Sequence, residues 1–313
     1  MFEYTKYELD ELSERTQFQF GPLEKALRLL DVLRVFDSHP VLKDQFVLKG
    51  GTALNFFHLE VPRLSVDIDL NFVGELERQP ALDARHNIET MIPDIFSGEY
   101  AVERTKGAHA LLQYKLCYKT LHDGQDALKL DLNFLERISI LDVGVLEFDR
   151  WGEKLTFPNL NLMELLAGKT RAFLSRYTAR DLYDLYRVSE RGIEFDPKIL
   201  HEMFVYSLLT ASESHKDLLP PMWDNITPDE IRRNLHPMLI RGEYPEMQLM
   251  TEGAKQILEP MVNLNKMELD IFERFEITGK IKLDLLFRES LAERISKSPA
   301  FKWKKRNLAG RST

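Results

Sequence analysis

The spacing of apolar residues predicts helices at the start of the chain, followed by strands mixed with helices. A helical stripe ends at His39 and Pro40, so the first forty residues are expected to form two helices. The stripe consists of Leu23, Ala26, Leu27, Leu30 and Leu33. A short strand over 46–49 then runs into a helix that reaches His58, and strict alternation over 65–73 predicts a second strand.

Further along, the pattern changes from mixed to helical. A helix is predicted around 81–97, and strands are predicted near 100–105, 110–119 and 127–135. From Asn159 onward almost all of the pattern is helical, with breaks at Gly192, Pro197, Pro220, Pro221, Pro237 and Pro245.

The predicted fold class is therefore α+β. We expect an N-terminal domain, residues 1–157, with a mixed sheet and flanking helices. An all-helical C-terminal domain, residues 158–313, follows it. The boundary is expected within the segment 151–158.

Composition adds limits to this picture. With 44% hydrophobic and 29% charged residues, the chain has the balance of a globular protein, and no apolar run is long enough to span a bilayer. The N-terminus lacks a hydrophobic secretion core, and Cys117 is the only cysteine. A cytoplasmic protein without a membrane partner is therefore expected. The net charge of −8 argues against non-specific coating of nucleic acid. Lys302, Lys304, Lys305, Arg306 and Arg311 form a basic stretch, which is either a solvated tail or a contact for an RNA backbone.

The strand over 65–73 carries the first candidate chemistry. Alternate side chains of a strand share a face, so Asp67 and Asp69 point away from the apolar residues. Two neighbouring carboxylates repel each other unless a cation lies between them, and Mg²⁺ prefers oxygen ligands. Taken alone, this pair would be explained as the solvent-exposed face of a strand.

The preceding glycines change that interpretation. Gly50, Gly51 and Thr52 lie between a strand and a helix, about fifteen residues before the acidic pair. Glycines allow a phosphate to approach the main chain closely, and a helix start offers free N–H donors. The Thr52 hydroxyl is predicted either to cap this helix or to bond a phosphate oxygen.

A third carboxylate, Asp131, occurs in a similar alternating segment, Leu130 to Phe134. If this strand neighbours the first, three carboxylates converge and can hold metal ions for displacement at phosphorus. Asp131 is also a candidate to accept the proton of the attacking hydroxyl. Alone, it would again be explained as a polar strand face.

The helical half contributes a candidate cation. Lys169 lies on the apolar face formed by Leu162, Leu165, Leu166 and Phe173, where it either extends to the edge or neutralises triphosphate charge. Thr178 and Asp181 have the spacing of a capping box. Asp184 either forms a surface ion pair or orients Lys169 or the substrate.

Together these motifs resemble the AbiEii/AbiGii toxin family, which includes the MenT toxins, within the DNA polymerase β-like nucleotidyltransferase superfamily. The resemblance rests on Lys49 to Leu54, on Arg63 to Leu70, and on the segment from Lys169 to Asp184. The closing segment 299–304 is similar as well. The superfamily motif usually has Gly-Ser where this chain has Gly51-Thr52, so a hydroxyl is retained.

The resemblance implies a Mg²⁺-dependent nucleotidyltransferase toxin that transfers nucleotides from a nucleoside triphosphate to the 3′ end of tRNA and blocks translation. It also implies a cognate antitoxin encoded alongside. Asp67, Asp69 and Asp131 would hold metal, Gly50, Gly51, Thr52, Arg63, Ser65 and Lys169 would bind the nucleotide, and Asp184 would assist.

Other functions stay open at this point. The acceptor could be a protein hydroxyl, or the chain could be a non-catalytic nucleotide-binding regulator. A glycosyltransferase with an Asp-x-Asp metal site is a further alternative. It explains neither the glycine segment nor Lys169.

Overall fold

The computed structural model describes residues 2–105 and 110–310. The chain divides into two compact units. The first comprises Met1–Ser139, Val143–Leu160 and His236–Tyr244, and the second comprises Ile140–Asp142, Asn161–Leu235 and Pro245–Thr313. Among the helices that the structure describes, none has the length and apolar character needed to cross a membrane.

Helices open the first unit as the apolar spacing predicts. Its helices are α1 (Lys6–Thr16), α2 (Phe20–Ser38), α3 (Gly50–Thr52), which continues as a π-helical segment (Ala53–His58), and α4 (Arg78–Phe96). Thr5 and Glu8 form a capping box at the start of α1. The predicted stripe of α2 is buried, so the expectation of two N-terminal helices is confirmed.

The first unit is built on a seven-stranded sheet with the order β3-β4-β5-β2-β1-β7-β6. The strands are β1 (Phe46–Lys49), β2 (Asp67–Phe72), β3 (Ala101–Thr105), β4 (Leu111–Lys119), β5 (Gln125–Asn133), β6 (Gly144–Arg150) and β7 (Glu153–Asn159). β2 pairs in parallel with β5 and β1 with β7, whereas the other neighbours are antiparallel. The predicted mixed sheet is confirmed.

Two strands of this sheet were not predicted from the sequence. The segment 151–158, taken above as the domain boundary, forms most of β7, which lies between β1 and β6. Leu155 and Phe157 alternate into the core there, while the outer strand β6 buries only Phe148. A strand that buries so few side chains leaves a weak apolar signal in the sequence.

The second unit is helical, as predicted. Its α-helices are α5 (Leu162–Arg176), α6 (Ala179–Glu190), α7 (Pro197–Thr210), α8 (His215–Leu218), α9 (Pro228–Glu230), α10 (Met247–Val262), α11 (Lys266–Thr278), α12 (Glu289–Lys297) and α13 (Pro299–Ala309). Helices α5, α6, α7 and α10 pack against one another and bury apolar side chains such as Phe173 and Phe204. Side-chain caps at Asn161, Thr178 and Asp196 begin α5, α6 and α7.

Candidate active site

The glycine segment forms a tight turn at the end of β1. Gly50 has a φ of +73°, a conformation that glycine adopts without strain. The main-chain carbonyl of Gly51 accepts a hydrogen bond from Asn55 Nδ2 at 2.9 Å, which closes the following helical turn. The main chain can therefore turn directly from the strand into the helix at this point.

Asp69 lies against this turn. A β-carbon built on Gly50 would lie 2.4 Å from Asp69 Oδ2, closer than two non-bonded atoms can approach. The apolar neighbours Ile68, Leu70 and Phe72 are fully buried on the other face of β2, as the alternation predicts. The carboxylate therefore occupies a space that is available only because residue 50 lacks a side chain.

A row of polar residues crosses four adjacent strands at Asp69. In the strand register Lys49 pairs with Asp69, Asp69 with Asp131, and Asp131 with Gln113. Residues that are paired in register on adjacent strands point to the same face of a sheet. The structure thus brings the strand of Asp131 next to that of Asp67 and Asp69, the neighbour relationship on which the expected acidic cluster depends.

Asp131 has partners that sequence reasoning missed. Lys129 Nζ lies 2.7 Å from Asp131 Oδ2, and Gln113 Nε2 donates to the two carboxylate oxygens at 3.1 and 3.2 Å. Lys129 is also the register partner of Asp67, and half of its side chain (52%) is exposed. A lysine two residues before a strand carboxylate shares its face, and this spacing is the signal that could have identified it.

A second polar group, which includes Glu136, a residue that the sequence did not indicate, lies beside this row. Lys49 Nζ pairs with Glu136 Oε2 at 3.0 Å, and Asn71 Nδ2 donates to the same oxygen at 3.2 Å. Asn71 lies on the same face of β2 as Asp67 and Asp69. Glu136 lies three residues after the end of β5, so its position next to β1 and β2 depends on a strand order that the sequence does not reveal.

Burial raises the pKa of the Asp69 carboxyl above its ordinary value. Lys49 opposes this rise, while the neighbouring carboxylates Asp131 and Asp67 add to it. The carboxylates of Asp67 and Asp131 therefore repel the ionised carboxylate of Asp69. A cation placed among them would relieve that repulsion.

The side chains near Asp69 fit a divalent metal ion only in part. Their donors are oxygen atoms, the type that Mg²⁺ prefers, and Asn71 Oδ1 is a buried oxygen without a hydrogen-bond partner in the described part of the chain. However, residues 2–105 and 110–310 contain no group of three His, Cys, Asp or Glu side chains placed to hold a metal ion. Asp131 is held by Lys129 and Gln113, so the expected three-carboxylate site is not assembled in this conformation.

Three other predicted nucleotide-binding residues are buried near the turn. Thr52 is fully buried, and its hydroxyl donates to the main-chain carbonyl of Asp67 at 2.7 Å and lies 3.0 Å from Ser65 Oγ. The Thr52 hydroxyl thus ties the glycine turn to β2. Arg63 Nη1 donates to the carbonyl of Leu64 at 2.8 Å. Contacts of these residues with a nucleotide stay a prediction.

Lys169 is buried in the second unit between two carboxylates. Its Nζ lies 2.9 Å from Asp181 Oδ1 and 2.8 Å from Asp184 Oδ2, and all three side chains are at most 8% exposed. Asp184 is therefore in a position to orient Lys169, one of the alternatives drawn from the sequence. It is fully buried, and not at the surface.

Thr178 caps α6 through the main-chain N–H of Asp181, and the Asp181 side chain has further partners. Its carboxylate accepts a hydrogen bond from the Thr178 hydroxyl at 2.7 Å, but it also pairs with Lys169 and with Arg176 Nε at 2.7 Å. Burial alone would raise the pKa of Asp181, and the two cations outweigh burial and hold that pKa well below its ordinary value. Only the Thr178 half of the predicted capping box forms, because the Asp181 carboxylate is held by the two cations and the Thr178 hydroxyl.

Most of the chain matches one protein family. A model of the family "Nucleotidyl transferase AbiEii toxin, Type IV TA system" matches residues 31–257, which include β1, the acidic strand β2, Asp131 and the Lys169 cluster. The chain belongs to the AbiEii family. The resemblance inferred from the glycine segment and the acidic strand is confirmed.

A solved structure supports the same fold. The chain is similar to MenT4, a nucleotidyltransferase toxin from Mycobacterium tuberculosis H37Rv, with a TM-score of 0.55 and 18% sequence identity. The match covers 92% of this chain and 98% of the MenT4 chain. No curated protein matches the sequence.

Membership of the AbiEii family makes this chain a nucleotidyltransferase toxin of a type IV toxin–antitoxin system. The family implies a nucleoside triphosphate as substrate and a cognate antitoxin as partner. The predicted enzyme class and the toxin–antitoxin assignment are thereby confirmed.

Proposed function

We propose that this AbiEii toxin transfers a nucleotide from a nucleoside triphosphate to the 3′ end of tRNA, in a Mg²⁺-dependent reaction that blocks translation. The observation that carries the proposal is the carboxylate of Asp69, placed against Gly50 on a strand that also presents Asp67. Family membership supplies the reaction class.

In the proposed reaction the 3′-hydroxyl oxygen of the acceptor attacks the α-phosphorus of the triphosphate. A new phosphorus–oxygen bond forms, the bond between the α-phosphorus and the bridging oxygen breaks, and pyrophosphate leaves. The proton of the hydroxyl passes to a carboxylate, for which Asp131 is the candidate. Because Asp131 is paired with Lys129 and Gln113, it must first exchange these partners for the substrate.

The metal would be held by Asp67 and Asp69, with Asp131 as a third ligand after that exchange. When bound, Mg²⁺ would neutralise charge on the phosphates and favour departure of pyrophosphate. In the free protein, Lys49 and Lys129 partly offset the rise in the pKa of Asp69.

The remaining predicted residues have proposed roles in binding. Gly50 and Gly51 offer main chain that a phosphate can approach, and Thr52 and Ser65 fix the turn to β2. Arg63 is proposed to contact the nucleotide. Lys169, oriented by Asp184, is proposed to bind the triphosphate as a positively charged partner.

The test is transfer of label from each of the four α-labelled nucleoside triphosphates to deacylated total tRNA with Mg²⁺. We expect label on intact tRNA and none on tRNA whose terminal ribose has been oxidised with periodate, since oxidation removes the attacking hydroxyl. Labelling of protein in a cell lysate, with no label on RNA from any nucleotide, would instead assign a protein hydroxyl as acceptor.

Translation and metal dependence need separate readouts. We expect the modified tRNA to resist aminoacylation in a purified system, and chelation of divalent cations to stop labelling. Cell-free translation that continues unchanged with fully modified tRNA would contradict the proposed block.

A further inference from the structure

The last helix, α13, carries an unusual concentration of positive charge. Residues 298–313 contain five basic residues and no acidic one, in a chain whose net charge is −8. Lys302, Lys305 and Arg306 of this helix are exposed, and Trp303 is 46% exposed. Arg311, the remaining basic residue of this stretch that is noted from the sequence, lies outside the described residues.

These side chains share one side of a fixed helix. Positions 302, 305 and 306 are spaced by three and four residues and so lie on one helical face, with Trp303 next to it. The other side of α13 is buried through Ala300, Phe301 and Leu308. The basic stretch is therefore not the solvated tail that charge alone suggested.

Contacts within the second unit hold α13 in place. Ser298 caps the helix and shares a 2.8 Å hydrogen bond with the Tyr206 hydroxyl, and the rings of Phe301 and Phe275 stack at 6.0 Å. The end of α11 packs closely as well, because a β-carbon on Gly279 would lie 2.9 Å from the carbonyl of Lys305. The exposed Lys280 follows directly and adds positive charge near this end of α13.

The charges of this face are not neutralised within the part of the chain that the structure describes, and Arg306 Nε donates only to the main-chain carbonyl of Lys302 at 3.4 Å. No acidic side chain there forms an ion pair with Lys302, Lys305 or Arg306, and Trp303 makes no ring stacking or cation–π contact. Surface cations in this chain are otherwise often paired, as Lys297 is with Glu293 at 2.6 Å. A row of uncompensated cations around an exposed indole is the combination that binds phosphates and unpaired bases.

The same features argue against a lipid membrane as the binding partner of α13. A helix that binds a membrane inserts its apolar face, and the apolar face of α13 is already buried against the second unit. An acidic protein would be attracted by the cations but would not require the flat ring of Trp303. A nucleic acid with unpaired bases binds the cations through its phosphates and the ring of Trp303 through a base.

The geometry points to α13 as a binding surface for the RNA acceptor, separate from the groups that perform the transfer. Lys302, Lys305 and Arg306 bind phosphates of a single-stranded stretch, and Trp303 stacks on one of its bases. This inference rests on the proposed function in one respect, that the acceptor is RNA.

The test measures binding of fluorescein-labelled single-stranded RNA by fluorescence anisotropy over a series of salt concentrations, without triphosphate. Each phosphate contact contributes about 0.7 to the slope of log affinity against log salt on single strands. The triple variant Lys302→Gln, Lys305→Gln, Arg306→Gln is therefore expected to lower that slope by about 2. The control Lys43→Gln, Lys198→Gln, Lys266→Gln removes equal charge elsewhere and is expected to keep the slope.

Trp303 is tested separately. Trp303→Ala is expected to weaken RNA binding about tenfold at fixed salt, the loss of one stacked base, and Trp303→Phe to weaken it less. RNA should quench the tryptophan fluorescence of the wild type more than that of Trp303→Phe. Melting temperatures of all variants show whether the fold is retained.

Equal RNA binding by the triple variant and its charge-matched control would overturn the inference, as would anionic phospholipid vesicles that bind while RNA does not. Because these measurements contain no triphosphate, their outcome is independent of transfer. RNA binding through α13 with no transfer to RNA would remove the proposed acceptor while leaving the binding surface in place.

Discussion

The carboxylate of Asp69 fills the space next to Gly50, where a β-carbon would come within 2.4 Å of its Oδ2 atom. This contact joins the two motifs that the sequence places about fifteen residues apart. The glycine is needed for two independent reasons, its φ of +73° and the closeness of the carboxylate. The position of the Asp69 side chain thus depends on the absence of a side chain at residue 50.

Alanine variants at Gly50 and Gly152 separate the effect of a positive φ from the effect of the contact with Asp69. A positive φ costs a non-glycine residue about 1–2 kcal/mol, and Gly152 (φ +86°) has no atom near its hypothetical β-carbon. Gly152→Ala should therefore lower the free energy of unfolding by about that amount and leave transfer unchanged. Gly50→Ala should lower it more and abolish transfer, because Asp69 must move. Urea unfolding and nucleotide transfer measure both. Equal activity of the two variants would contradict the role of the contact.

Asp69→Asn is expected to stabilise the free protein while it removes activity. The folded pKa of Asp69 is raised, so the fold disfavours the ionised form. This penalty is absent below the unfolded pKa, ordinarily 3.8, and grows as pH rises through the folded pKa. The free energy of unfolding of the variant should exceed that of wild type near neutral pH, and the difference should vanish in acid. A difference that does not change with pH would refute this explanation.

Lys129→Met is expected to strengthen binding of a divalent cation. Lys129 Nζ forms an ion pair with Asp131 Oδ2 at 2.7 Å, so it competes with any metal ion for that carboxylate. Its side chain is half exposed, so the ion pair is worth at most about 1 kcal/mol, and Mn²⁺ affinity should rise about fivefold. Lys115→Met is the control, because Lys115 is the register partner of Lys129 on the next strand. Calorimetric titration with Mn²⁺, without nucleotide, measures the effect, and equal affinities for both variants would argue against competition.

Removing the cation of the buried Lys169 cluster should destabilise the second unit. Lys169→Met leaves Asp184 and Asp181 buried with less compensation, at a cost of about 3–5 kcal/mol in the free energy of unfolding. The double variant Lys169→Met, Asp184→Asn should recover part of this loss. Transfer by these variants must be compared at equal folded fraction. Full recovery of transfer by the stable double variant would show that Lys169 has only a structural role.

The same cluster predicts a loss of stability in acid. The pKa of Asp181 is lowered in the fold, so its contribution is present above the unfolded pKa, ordinarily 3.8, and is lost as pH falls through the folded value. Asp181→Asn should therefore flatten the dependence of the unfolding free energy on pH in the acid range. Urea titrations of wild type and variant at a series of acidic pH values test this.

Local patterns predicted several structural features of the candidate site. The alternation of β2 identified which face carries Asp67 and Asp69, because side-chain direction in a strand depends only on position along it. The glycine turn was predicted for a similar local reason. The helical stripe that carries Lys169 placed that residue on a buried face correctly.

The relationships between distant segments were not predictable in the same way. The parallel pairing of Asp69 with Asp131 joins strands that are separated by β3 and β4 in the sequence, and a strand pattern contains no information about its neighbour. The pairing of Lys129 with Asp131 has a local signal, whereas that of Lys49 with Glu136 depends on this strand order. The segment His236–Tyr244 joins the first unit through long-range contacts such as the bond from Leu64 N to the carbonyl of Met238, 2.8 Å long.

Transfer of labelled nucleotide to tRNA by Asp69→Asn, compared with wild type and Asp126→Asn, tests the central claim most directly. Asp126 is on the same strand as Asp131 but pairs with Lys25, so its replacement controls for a lost carboxylate in the sheet. Wild type and Asp126→Asn should transfer at similar rates. Asp69→Asn should be slower by about a thousandfold, since a lost metal ligand removes several kcal/mol of transition-state stabilisation. Transfer by Asp69→Asn within about tenfold of wild type would contradict the assignment, because that loss corresponds to only about 1.4 kcal/mol.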